Sequence, residues 1–65
     1  MADQRAPTAE EKLACAKREL AMRERVYPRW VSNGKMTQAL CDREIWLMGA
    51  IMSDYQAKAA GERLL

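Results

Sequence analysis

Residues 37–55, TQALCDREIWLMGAIMSDY, decide the fold of this chain. Stepping 100° per residue from Leu40 places Leu47, Leu40, Ile51, Tyr55, Met48, Cys41, Met52 and Ile45 in one continuous arc of roughly 160°. A surface helix usually carries an apolar stripe of about 100° or a little more. The wider arc predicts a long amphipathic helix with two packing neighbours. Within it, Cys41, Ile45, Met48, Met52 and Tyr55 alternate steps of four and three, the spacing of a coiled-coil seam. Thr37 suits the N-cap, because its hydroxyl can accept a first-turn N–H. Asp42 and Glu44 near the start and Lys58 near the end suit the helix dipole.

Three residues stand out within this stretch. Glu44 falls inside the apolar arc. It either pairs with an arginine of the preceding helix or sits at the edge of the arc and reaches water. Trp46 falls on the opposite face, among Asp42, Arg43 and Ser53. It is either covered by the loop or a terminal segment, or it is an anchor for a partner, since Trp is enriched at interface hot spots. Gly49 costs about 1 kcal/mol relative to alanine inside a helix. It marks either a close approach of another backbone or a tolerated position on the polar side.

Upstream, Thr8-Ala9-Glu10-Glu11 fits a capping box and starts a first helix that runs to about Val26. Ala9, Leu13, Ala16, Leu20 and Tyr27 form one narrow stripe on it. Cys15, Met22 and Val26 form a second, about 100° away. Two stripes again predict two neighbours, the other helix and one further surface. Glu19 and Arg23 make a favourable i,i+4 pair, and most of the dense charge between Lys17 and Arg25 reads as a solvated face. Tyr27-Pro28 ends or kinks the helix, with one further turn over Arg29-Trp30-Val31. Ser32-Asn33-Gly34 breaks it, with Asn33 or Gly34 able to take positive φ. Tyr27, Trp30, Val31 and Met36 are expected to form an apolar plug at the hairpin end. Residues 1–7 read as a flexible N-terminus, 27–37 as the turn and 60–65 as a tail. In that tail Gly61 is a stop, and Leu64 and Leu65 either fold back or dangle.

Sixty-five residues make one small domain, and a chain of this size buries only about 60% of its unfolded surface. Such scaffolds usually add disulfides, a metal or oligomerisation. There is no histidine, so a Cys/His zinc site is absent and no ordinary nucleophile–base pair can be built. In an antiparallel hairpin Cys41 faces the low twenties rather than Cys15, so the two cysteines read as reduced, buried thiols. Oligomerisation is left as the expected staple. The net charge of +2 is too small to argue for nucleic acid by itself. Met1–Ala9 has no apolar core of the signal-peptide kind, and no apolar run approaches the roughly 20 residues of a membrane span. No glycine-rich phosphate loop or metal-ligand spacing is present, and no cofactor is expected. Met36-Thr37-Gln38-Ala39-Leu40 has the look of a helix-turn-helix opening. That motif then needs a turn glycine, and Gly49 instead lies deep in a continuous apolar periodicity.

Residues 23–55, RERVYPRWVSNGKMTQALCDREIWLMGAIMSDY, resemble a group of short proteins encoded by tailed bacteriophages and prophages. The resembling features are the V-Y-P-x-W-V turn, the G-x-M-T restart and the D-R-E-I helix, over about half the chain. The resemblance implies a phage origin and a place in the host bacterial cytoplasm. It brings no activity and no functional residues with it. Small phage proteins of this size often bind and redirect host proteins.

The expectation is therefore an all-α antiparallel helical hairpin, with helices near 8–26 and 38–59, dimerising into a four-helix arrangement. The expected function is non-enzymatic: binding a host bacterial protein and blocking or redirecting it, for example a transcriptional regulator such as a quorum-sensing activator. The candidate partner surface is Trp46, Met48, Met52 and Tyr55 on the second helix. Arg25, Arg29 and Trp30 at the hairpin end are a second candidate. One alternative is a nucleic-acid-binding or transcription-accessory protein using Arg18, Arg25, Arg29 and Lys35. Another is a structural phage component.

Overall fold

Two helices, α1 (Ala9–Ser32) and α2 (Gln38–Arg63), pack against each other in antiparallel sense in a computed structural model that describes residues 5–63. The chain is an all-helical hairpin. The expectations for residues 1–4, part of the flexible N-terminus, and for Leu64 and Leu65 lie outside the described residues.

The start of α1 follows the capping-box reading. Glu11 N–H donates to the Thr8 hydroxyl at 3.1 Å, and Thr8 N–H donates back to the Glu11 carboxylate at 2.9 Å. Arg5 joins them as a two-pronged donor to both Glu11 oxygens, at 2.6 and 3.1 Å. Hydrogen bonds from Arg5 first, and then from the Thr8 backbone, hold the Glu11 carboxyl down at about 2. An ordinary glutamate titrates near 4.3. Because the folded value is the lower one, this group's contribution to stability is present above about pH 4 and fades as the pH falls towards about 2. An NMR pH titration should find Glu11 well below the ordinary glutamate value, and Arg5→Ala should move it back up. A normal Glu11 value in the intact chain would remove the bridge from this account.

α1 does not end near Val26. It passes through Pro28 and continues to Ser32. Pro28 lacks the N–H that would bond one turn back, a defect of about 3 kcal/mol in a helix interior. The apolar stripe explains why the helix goes on. Tyr27 and Val31 are in phase with Leu13 and Leu20, and both are half-buried only if the helical path is kept. The end is then well capped. Lys35 N–H bonds the Trp30 carbonyl at 2.8 Å, Gly34 N–H bonds the Val31 carbonyl at 3.1 Å, and Asn33 N–H bonds the Arg29 carbonyl at 3.0 Å. Gly34 takes a φ of +79°, the left-handed conformation that glycine adopts freely. Of the two residues able to make this turn, Gly34 does it and Asn33 does not.

Thr37 caps α2 as expected, its hydroxyl accepting from Leu40 N–H at 3.1 Å. The first turn of α2 carries no acidic residue; Asp42 instead accepts from Gln38 Nε2 at 2.8 Å, and the late cation is Arg63. α2 also runs past the expected end at residue 59, through Gly61 to Arg63. Ala59, with no exposed surface, packs against Ala9 and Leu13, and Arg63 Nε meets Glu10 at 2.9 Å, so the last turn is held from both sides.

The core is small. Ala9, Leu13 and Ala16 of α1 and Cys41, Met48 and Ala59 of α2 are its buried residues, and Met52 and Tyr55 pack against the Ala9–Leu13–Ala59 cluster. Alanines let the helix backbones approach closely. Midway along, Arg23 Nη1 donates to the Glu44 backbone carbonyl at 2.9 Å while its Nε bonds the Glu19 carboxylate at 2.9 Å. Glu44 itself is half-exposed, which selects the reading at the edge of the arc. Gly49 has nothing within 4 Å of where a Cβ would stand, so it serves no close approach within the chain. The cysteines are both free. Cys41 is buried but Cys15 is exposed, contrary to expectation, because the second stripe of α1 faces away from α2.

Candidate functional site

The residues expected to form one partner surface on α2 separate into two groups. Met48 is 8% exposed, and Met52 and Tyr55 are half-buried against the core. The Lys12 ammonium lies 5.4 Å from the Tyr55 ring centroid, which fixes that ring against α1. These three side chains hold the hairpin together. Trp46 alone stays on the outside, at 68% exposure. The periodicity explains the split: Trp46 lies about 160° around α2 from Met48. Its neighbours on that outer edge are Asp42, Arg43, Gly49, Ala50 and Ser53 by the same spacing.

The second candidate group also divides. Trp30 stacks on Tyr27, with ring centroids 5.3 Å apart, and keeps 38% of its surface exposed. Tyr27, Val31 and Met36 are half-buried, so the expected plug at the hairpin end is only partly closed. Arg25 and Arg29 are exposed and lie elsewhere. At steps of seven and four, Arg18, Arg25 and Arg29 form one line on the edge of α1 that faces away from α2. None of the three makes an ion pair among the described residues. Lys35 is exposed in the turn at the same end.

The hairpin's two broad faces differ in character. One carries the Glu10–Arg63 bridge and, by helical spacing, Lys17, Glu24, Gln38 and Gln56. The other carries a shallow groove of about 440 Å³ between the helices, bordered by Lys12, Cys15, Glu19, Met48, Ile51 and Tyr55. That groove puts the second stripe of α1 and the uncovered flank of α2 on the same side. Leu40 and Ile51 on this side are 46% and 44% exposed. The excess width of the α2 arc signals this face in the sequence, and the candidates Met48, Met52 and Tyr55 lie on the other flank of the arc, packed against α1.

Among the described residues, no group of three or more acidic, Cys or His side chains could hold a metal ion, and no helix is long and apolar enough to cross a membrane. Comparisons of the chain with protein-family models, curated proteins and solved structures find no match.

Proposed function

We propose that this chain is a small non-enzymatic phage protein that binds a host bacterial protein and blocks or redirects it, acting as a homodimer of four helices in the bacterial cytoplasm. The observation that carries the binding reading is Trp46, 68% exposed on the outer edge of α2. An indole of this kind contributes nothing to the hairpin core. Aromatic side chains bury about 150–250 Å² each when covered, enough to dominate an interface. Tryptophan is also the residue type most enriched among binding hot spots. The resemblance to short phage proteins supplies the choice of a host protein as partner, a transcriptional regulator being the favoured example.

A second reading rests on a separate observation. The line Arg18, Arg25 and Arg29 is exposed and, among the described residues, without carboxylate partners, which suits contacts to phosphate. The two readings respond differently to salt. Phosphate contacts release counterions and weaken steeply as salt rises, whereas an apolar anchor loses little.

The test is capture from bacterial lysate at low and high salt, using the tagged full chain, Trp46→Ala, and a triple Arg18/Arg25/Arg29→Gln variant. One host protein held at high salt, lost with Trp46→Ala and kept by the triple variant, supports the protein-binding reading. Nucleic acid captured only at low salt and lost with the triple variant replaces it with the second.

A further inference from the structure

We infer that the outer edge of α1 is a docking strip for an acidic amphipathic helix of another protein, with Cys15, Met22 and Val26 against its apolar side and Arg18, Arg25 and Arg29 against its carboxylates. The strip lies on the side of α1 turned away from α2, whereas Trp46 stands on the outer edge of α2, so the inference goes beyond the Trp46 reading and does not depend on it. The sequence of α1 sets the strip up. Stepping 100° per residue, Arg18, Arg25 and Arg29 fall within about 40° of one another, and Met22, Cys15 and Val26 follow within the next 60° or so. In the structure Cys15, Arg18, Met22 and Arg25 border one shallow hollow of about 500 Å³, which Glu19 and Ala21 complete. Cys15 and the three arginines are exposed, and Met22 and Val26 are half-buried.

Charge decides what fits there. The carboxylates beside the strip are held by their own cations, Glu11 by Arg5 and Glu19 by Arg23. Lys12, next towards the groove, lies over the Tyr55 ring and adds to the positive sign. Across the groove, Glu44 stands on α2 beside Arg23, whose guanidinium bonds its backbone carbonyl. At the positions three and four residues away, Arg18 meets Ala14, Cys15, Ala21 and Met22, and Arg25 meets Ala21, Met22, Pro28 and Arg29. Neither has a carboxylate within helical reach. Arg25 and Arg29, four apart, repel one another, and α1 offers no acid to relieve them. A phosphate backbone would satisfy the arginines but give Met22 and Val26 nothing apolar to meet. A helix answers both rows. Arg18 to Arg25 spans about 10.5 Å and Arg25 to Arg29 about 6 Å along the axis. Carboxylates at steps of seven and four on a partner helix repeat that spacing, and the apolar side of the same helix covers Met22 and Val26. The match of sign also disfavours a second copy of the strip, which would bring arginines against arginines.

The probe is a labelled helical peptide with leucines along one side and glutamates beside them at steps of seven and four, its binding to the full chain read by fluorescence anisotropy at physiological salt. A peptide of the same composition in scrambled order and a DNA duplex are the comparisons. The ordered peptide is expected to bind at least about tenfold more tightly than the scrambled one. Arg18→Gln/Arg25→Gln/Arg29→Gln and Met22→Ser/Val26→Ser should each weaken it by about tenfold or more, while Trp46→Ala leaves it unchanged. Cys15 should react more slowly with a thiol reagent once the ordered peptide is bound, a readout that needs no variant. No binding, or equal binding of the two peptides, would overturn the inference. A duplex that binds more tightly, and is indifferent to Met22→Ser/Val26→Ser, would give the strip to nucleic acid. Labelling of Cys15 that slows with protein concentration alone would give it to a second copy.

Discussion

Replacing Leu13 with alanine is expected to cost about 2–5 kcal/mol, the usual range for a buried leucine. The whole domain has only about 3–10 kcal/mol to lose, at 0.05–0.15 kcal/mol per residue. Leu13 is 8% exposed and packs with Ala9 and Ala59, while Met52 and Tyr55 close the cluster. Two of those neighbours are alanines with no rotamers to swing into the space, so the cavity should stay open. A urea titration followed by far-UV circular dichroism should show the midpoint fall sharply, with much of the helical signal gone before denaturant is added. Trp46→Ala is the control. It deletes more atoms than Leu13→Ala, yet from an outer edge, and should shift stability by no more than about 0.5 kcal/mol. Equal effects from the two substitutions would contradict the placement of the core.

The second large effect is on binding. Trp46→Ala is expected to remove at least about 2 kcal/mol of affinity for the captured partner, close to a thirtyfold weakening, as hot-spot tryptophans do. Trp46→Phe should restore part of it, because much of the aromatic area returns. Met48→Ala is the informative contrast. Met48 lies in the core, so its loss should lower stability and affect binding only through the folded fraction. An isothermal titration with purified partner separates the cases: a changed dissociation constant at full occupancy for Trp46→Ala, and a reduced active fraction for Met48→Ala. Full affinity in Trp46→Ala would mean that the anchor lies elsewhere.

Much of the hairpin was legible in the sequence, and the reasons are local. The Thr8–Glu11 box and the Thr37 cap are short-range signals whose partners lie three residues away, and both form as read. The seam from Cys41 to Tyr55 was legible because its four-three spacing survives in the packing. The ends of the helices were harder to place. Pro28 reads locally as a terminator, yet the need to bury Tyr27 and Val31 lies in the packing with α2 and outweighs the local cost. Gly61 reads as a stop for the same local reason, and the Arg63–Glu10 bridge that carries α2 past it spans the two helices. Met48, Met52 and Tyr55 read as partner candidates in the sequence because a single helical wheel shows how wide an apolar arc is without showing which flank its neighbour takes. The contacts with α1 make that choice, and the flank they leave is Leu40 and Ile51.

Trp46 is left uncovered by its own chain, and the proposed function has a partner cover it. Acrylamide quenching of fluorescence in a Trp30→Phe background, where Trp46 is the only tryptophan, measures this directly. Strong quenching of the free protein is expected at every concentration, with marked protection once the captured partner is added. A Trp46 already shielded in the free protein, or one that stays fully quenchable in the complex, would contradict it.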